Sequence, residues 1–91
     1  MAEQRIKVYG ALWCSDCRRT LRFLHDSRVS YDWIDVVEHP EELAVVRRRN
    51  AGLESIPTII FPDGSFLVEP SNEALARKLG LGLTPPAPSR G

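Results

Sequence analysis

The sequence has no third cysteine to join Cys14 and Cys17, no surplus of either charge, and no run approaching the ~20 apolar residues of a membrane span. Each shortage excludes something. Zinc and iron–sulfur sites take about four ligands. His25 and His39 are isolated from each other and from the cysteines, so a metal would have to be shared between two chains. Lys and Arg number 12 and Asp and Glu number 12, so nothing recommends nucleic acid or an anionic membrane as a partner. The start, Met1-Ala2-Glu3-Gln4-Arg5, lacks the apolar core of a secretory signal. The expectation is a cytoplasmic location, where a reducing thiol pool suits a lone cysteine pair to catalysis better than to a structural bridge.

What is present is Trp13-Cys14-Ser15-Asp16-Cys17, at the junction between an apolar run ending at Tyr9 and a helical-looking stretch that begins near Ser15. Two residues between cysteines at a helix start place one sulfur at the N-terminus and the other one turn further in. Unpaired N–H groups and the positive end of the helix dipole favour a thiolate there. Cys14 is therefore the expected attacking sulfur and Cys17 the resolving one. A purely structural disulfide is the weaker account, because so short a loop removes little entropy from the unfolded chain.

At 91 residues the chain is one domain, read as residues 1–80 followed by a disordered tail, 81–91, with three prolines and little to bury. Arg5-Ile6-Lys7-Val8-Tyr9 alternates polar and apolar residues and stops at Gly10, a short strand. Cys17, Leu21 and Leu24 fall at helical spacing, which predicts an amphipathic helix over residues 15–27 with Cys17 on its core side. Residues 31–37 read as a second strand, parallel to the first. Pro40, Glu41 and Glu42 open a second helix that runs to about Asn50, with Gly52 as its stop and Leu43 and Val46 as its buried stripe. The Arg47-Arg48-Arg49 run reads as a solvated helix end complementing the dipole.

Residues 55–61 and 65–69 flank Pro62-Asp63-Gly64 as a β-hairpin, and Pro70-Ser71 caps a last helix near residues 72–79 that ends at Gly80. The order is strand, helix, strand, helix, hairpin, helix. It implies an α/β fold with a four-stranded mixed sheet, three helices and both faces covered.

With the Cys-x-x-Cys after the first strand and Ile56-Pro57 before the third, the sequence resembles the glutaredoxin branch of the thioredoxin fold over about residues 5–79. The resemblance implies a cis Pro57 facing the cysteines, and a backbone at Ile56 free to pair with an extended thiol substrate. Trp13, Trp33-Ile34-Asp35, Ile56-Pro57-Thr58 and the segment from Phe61 through Pro70-Ser71 are similar to the mycoredoxins, which use mycothiol. Glutathione-binding relatives commonly carry a lysine where this chain has Ala11, and a glycine pair where it has Glu69-Pro70-Ser71. Both departures count against glutathione as the preferred partner, but Ser15-Asp16 also departs from the usual glycine–tyrosine of the mycoredoxins, so the co-substrate stays open among mycothiol, bacillithiol and glutathione.

The implied activity is thiol–disulfide exchange on mixed or protein disulfides, with a low-molecular-weight thiol or a thioredoxin reductase as electron donor. S-thiolated or disulfide-containing proteins are the expected partners of a monomer with no bound cofactor and no metal. Trp13 is expected to wall the site, Ser15 and Asp16 to lie on an exposed loop and set the local field, and Ile56, Pro57 and Ser71 to contact substrate. Asp16 places a negative charge between the sulfurs in sequence, which disfavours a second one and puts the protein on the reducing side of its family. Two other roles stand beside this reading. One is a dimer holding zinc or an iron–sulfur cluster through Cys14; the other is a dedicated electron donor to ribonucleotide reductase.

Overall fold

A computed structural model of the chain describes residues 5–81. Its elements are β1 (Ile6–Gly10), α1 (Ser15–Asp26), β2 (Tyr31–Asp35), α2 (Leu43–Arg49), β3 (Thr58–Ile60), β4 (Phe66–Val68) and α3 (Asn72–Leu79). The four strands lie in the order β2-β1-β3-β4. β1 pairs parallel with β2 and antiparallel with β3, and β3 pairs antiparallel with β4. The mixed sheet with three helices is the one the alternation of strand and helix patterns implies.

Period-2 alternation divides the core between the two faces of the sheet. Ile6 and Val8 on β1, with Ile59, meet Leu24 of α1 and Leu75 of α3, and Trp33 and Leu79 pack at the margin. On the other face Tyr9 meets Val36 and Val46, flanked by Leu43, Val45 and Ile56, so α2 covers that side.

Several boundaries differ from the sequence reading. β2 stops at Asp35 instead of running to Val37, because Asp35 Oδ1 accepts the N–H groups of Val37 at 2.9 Å and Glu38 at 3.2 Å. This side-chain turn takes over where the ladder would continue. The second helix begins as a 3₁₀ turn at Pro40–Glu42, and its α-helical part is Leu43–Arg49. The hairpin strands are three residues each, shorter than expected. Leu81 belongs to the end of α3, since its N–H donates to the Ala76 carbonyl at 2.9 Å past a left-handed Gly80. The rest of the expected tail, residues 82–91, lies outside the described residues.

This topology brings three loops to one end of the sheet. β1 and β2 both finish there, and Tyr9 stands opposite Thr58 at the start of β3. Thr58 stands opposite Val68 at the end of β4. Residues 11–14, 55–57 and 69–71 therefore face one another across the strand ends.

Candidate active site

Cys14 is the N-cap of α1: its backbone is extended, and its Sγ accepts the Cys17 N–H at 3.4 Å. The sulfur thus occupies the place usually held by a serine or aspartate oxygen, at the end of the helix where N–H groups lack partners. The loop before it is tied down twice. Cys14 N–H donates to the Ala11 carbonyl at 3.2 Å, and the Arg18 guanidinium donates to the Leu12 carbonyl at 2.6 Å. Both thiols are free, Cys14 half-buried and Cys17 buried.

Cys17 shows no exposed surface. Burial, opposed by a backbone hydrogen bond from Ala11 and reinforced by Cys14 and Asp16, pushes its thiol up to about 12. The two sulfurs are consequently distinct, one at a helix cap and open to solvent, the other behind it and holding its proton.

The other expected site residues are distributed as follows. Ser15 and Asp16 lie in the first turn of α1 instead of on a loop, since the cap falls at Cys14; both are exposed. The Asp16 carboxylate is 3.5 Å from the Arg19 guanidinium, so a cation offsets its charge within the same turn. Trp13 is 73% and Leu12 56% exposed, so together they present an apolar face beside Cys14 instead of covering it. The Ile56–Pro57 peptide bond is cis. Pro57 is buried, and its carbonyl accepts the Glu69 N–H at 2.8 Å, which joins the loop before β3 to the one after β4. The Ile56 backbone has no hydrogen-bond partner among the described residues. Ser71 caps α3, its Oγ accepting the Ala74 N–H at 3.0 Å. Ala11 is fully buried.

Sequence reasoning missed two participants. Arg19 reaches across the site, donating to Asn72 Oδ1 at 2.7 Å and the Pro70 carbonyl at 3.1 Å, so α1 is clamped to the N-terminus of α3. Gly10, read only as a strand stop, lies directly beneath Cys17 and Trp33. The available signal was period two: Gly10 shares a face with Val8, and Val8 is in register with Trp33.

Among the described residues no three His, Cys, Asp or Glu side chains gather as a metal-ligand group, and no helix is long and apolar enough to cross a membrane.

Comparison with known proteins agrees with this geometry. Residues 6–67 match the glutaredoxin family. A Mycobacterium tuberculosis protein described as a glutaredoxin is 32% identical over 79 residues, covering 87% of this chain and 94% of the relative. Mycoredoxin 1 of Corynebacterium glutamicum is 32% identical over 65 residues, covering 71% of this chain and 80% of its own length. The crystal structure of a glutaredoxin from Archaeoglobus fulgidus superposes with a TM-score of 0.73 at 22% identity, covering 86% of this chain and 88% of that one, which shows the shared fold. The chain belongs to the glutaredoxin family, close to the mycoredoxins, and is a thiol–disulfide oxidoreductase of thioredoxin-like fold.

Proposed function

We propose that the protein reduces mixed disulfides and protein disulfides through Cys14, with Cys17 as the internal resolving thiol. The observation that carries this reading is the placement of Cys14 Sγ at the α1 N-cap, 3.4 Å from the Cys17 N–H, while Cys17 is enclosed behind it. Cys14 thiolate attacks one sulfur of the substrate disulfide. A new S–S bond joins Cys14 to that sulfur, and the other sulfur leaves as a thiolate that takes up a proton from water. The Cys14 mixed disulfide is then cleared either by an external thiol, which bonds to the bound group's sulfur and releases Cys14 as a thiolate, or by Cys17, which bonds to the Cys14 sulfur and releases the bound group as a thiol.

The exposed pair Leu12 and Trp13 suits a polypeptide substrate, which would cover apolar surface beside the reacting sulfur. The unpaired Ile56 backbone suits an extended segment laid alongside it. Ser71 and the α3 N-terminus close the groove on the far side. Electrons come from a low-molecular-weight thiol or a thioredoxin reductase. Mycothiol is favoured over glutathione and bacillithiol by the mycoredoxin similarity and by a buried Ala11, which puts no cation at that position. We take the protein to act in the cytoplasm, as a monomer.

The test follows turnover of a mixed disulfide between each thiol and a model peptide, with each thiol and a thioredoxin reductase supplied in turn. Cys14→Ser should abolish turnover, whereas Cys17→Ser should keep the reaction that runs through a thiol mixed disulfide. Activity surviving Cys14→Ser would overturn the assignment.

A further inference from the structure

Gly10 is not at a turn and has no left-handed backbone; what it lacks is room for a side chain. A Cβ built there would lie 2.5 Å from Cys17 Sγ and 3.1 and 3.2 Å from Cη2 and Cζ3 of Trp33. The sulfur and the edge of the indole therefore converge over the bare backbone of β1. Trp33 reaches this spot from the neighbouring strand: it is in register with Val8, and Asp35 with Gly10, so its ring leans diagonally along the sheet. It also packs against the core cluster of Val8, Leu24 and Ile59, which fixes its position.

The geometry points to Trp33 as a positioning residue for the resolving thiol: seated across Gly10, its indole confines Cys17 Sγ and closes it off from solvent. This rests on the reading in which Cys17 clears the Cys14 mixed disulfide. In that step the Cys17 sulfur bonds to the Cys14 sulfur, the bond from Cys14 to the bound group breaks, and that group departs as a thiol carrying the proton Cys17 gives up. No outside oxidant or reductant enters. A confined, proton-bearing Cys17 makes ring closure slow, so an external thiol competes well for the mixed disulfide. Removal of the indole shifts the partition toward the internal disulfide.

The charged surroundings of Cys17 are few. Cys14 and Asp16 face it from the start of α1, while β1, the loop after it and β2 present Gly10, Ala11 and Trp33, none of which titrates. Solvent access at the indole is thus the variable that a Trp33 substitution changes.

The experiment reads Cys17 without turnover, in a Cys14→Ser background, as the rate of iodoacetamide alkylation against pH. Cys14→Ser/Trp33→Ala should react about tenfold faster near pH 8, with its pH midpoint lower by about one unit, because a hydrated thiol ionises more readily. Trp33→Phe should restore most of the protection. Leu79→Ala, which removes core packing on α3, serves as the control for general loosening and should leave the rate and midpoint in place. Should Trp33→Ala fail to fold, Trp33→Leu is read the same way.

Gly10→Ala should lower the melting temperature more in the parent than in a Trp33→Ala background, since one of the two obstructions is then gone. In otherwise native protein, quenching a preformed Cys14 mixed disulfide should show ring closure accelerated by Trp33→Ala. Equal Cys17 rates and midpoints with and without the indole, or equal acceleration by Leu79→Ala, would overturn the inference. Failure of the oxidoreductase reading would register separately, in the turnover of the single cysteine variants.

Discussion

Arg19 on α1 donates its guanidinium to Asn72 Oδ1 on α3 at 2.7 Å, and a second nitrogen of the same group holds the Pro70 carbonyl. One side chain on the helix capped by Cys14 thereby fixes the turn that leads into α3. Arg19→Met keeps the aliphatic stem and removes both bonds together with the exposed ion pair to Asp16, and should cost ~1 kcal/mol in urea unfolding. In turnover it should raise KM for a peptide disulfide more than it lowers kcat. Equal KM in variant and parent would separate the clamp from substrate binding.

The buried Cys17 makes stability depend on alkaline pH. An unfolded thiol ionises near ~8.5, while the folded one is pushed up to about 12. Between those values the unfolded chain releases a proton that the folded chain retains. The contribution is therefore fully present below the unfolded value and is lost as pH rises toward the folded one, at up to ~1.4 kcal/mol per pH unit. Urea unfolding of the reduced protein from pH 8 to 11 should fall more steeply than that of Cys17→Ala.

Thr20 Oγ1 is buried without a hydrogen-bond partner among the described residues. Replacing the hydroxyl with a methyl of nearly the same shape removes a desolvated polar group at no loss of packing. Thr20→Val should raise stability by ~1 kcal/mol, seen as a higher urea midpoint with an unchanged slope.

Ser71 is committed to its helix. The bond from Ala74 N–H to Ser71 Oγ, 3.0 Å long, satisfies one of the open donors of α3. Ser71→Ala should cost ~1 kcal/mol and speed amide exchange at Ala74, and Ser71→Asp should retain the cap. A variant that leaves both unchanged would release Ser71 from its structural duty.

Much of the architecture is local in origin, and so the sequence displays it. Alternation in β1, helical spacing of Cys17, Leu21 and Leu24, and the Ser71 and Gly80 punctuation of α3 correspond to elements found in the structure. Where β2 ends was not legible, because Asp35 is as compatible with a strand as with the side-chain turn it makes. The placement of Ser15 and Asp16 hinged on which residue caps α1, and cysteine is an uncommon cap. The Arg19–Asn72 clamp and the meeting of Gly10, Cys17 and Trp33 join residues far apart in the chain. Their partners are set by strand register and helix docking, which no local pattern carries.

The position of β1 between β2 and β3 has a consequence for how the protein comes into being. Synthesis proceeds from the N-terminus, so the strand made first is one that needs two neighbours. Tyr31–Asp35 can join it early, but its other edge waits for Thr58–Ile60. Until then a nascent half-sheet carries an open edge, with Ile6 and Val8 covered by α1 but not yet by Ile59 or Leu75, the condition in which chains associate with one another. Ile56, Pro57 and Ser71, on the loops at the same end of the sheet as Cys14, also arrive in this last portion. Cys14 therefore leaves the ribosome well before the loops that share its end of the sheet, and the surroundings of that sulfur are among the last parts of the fold to form.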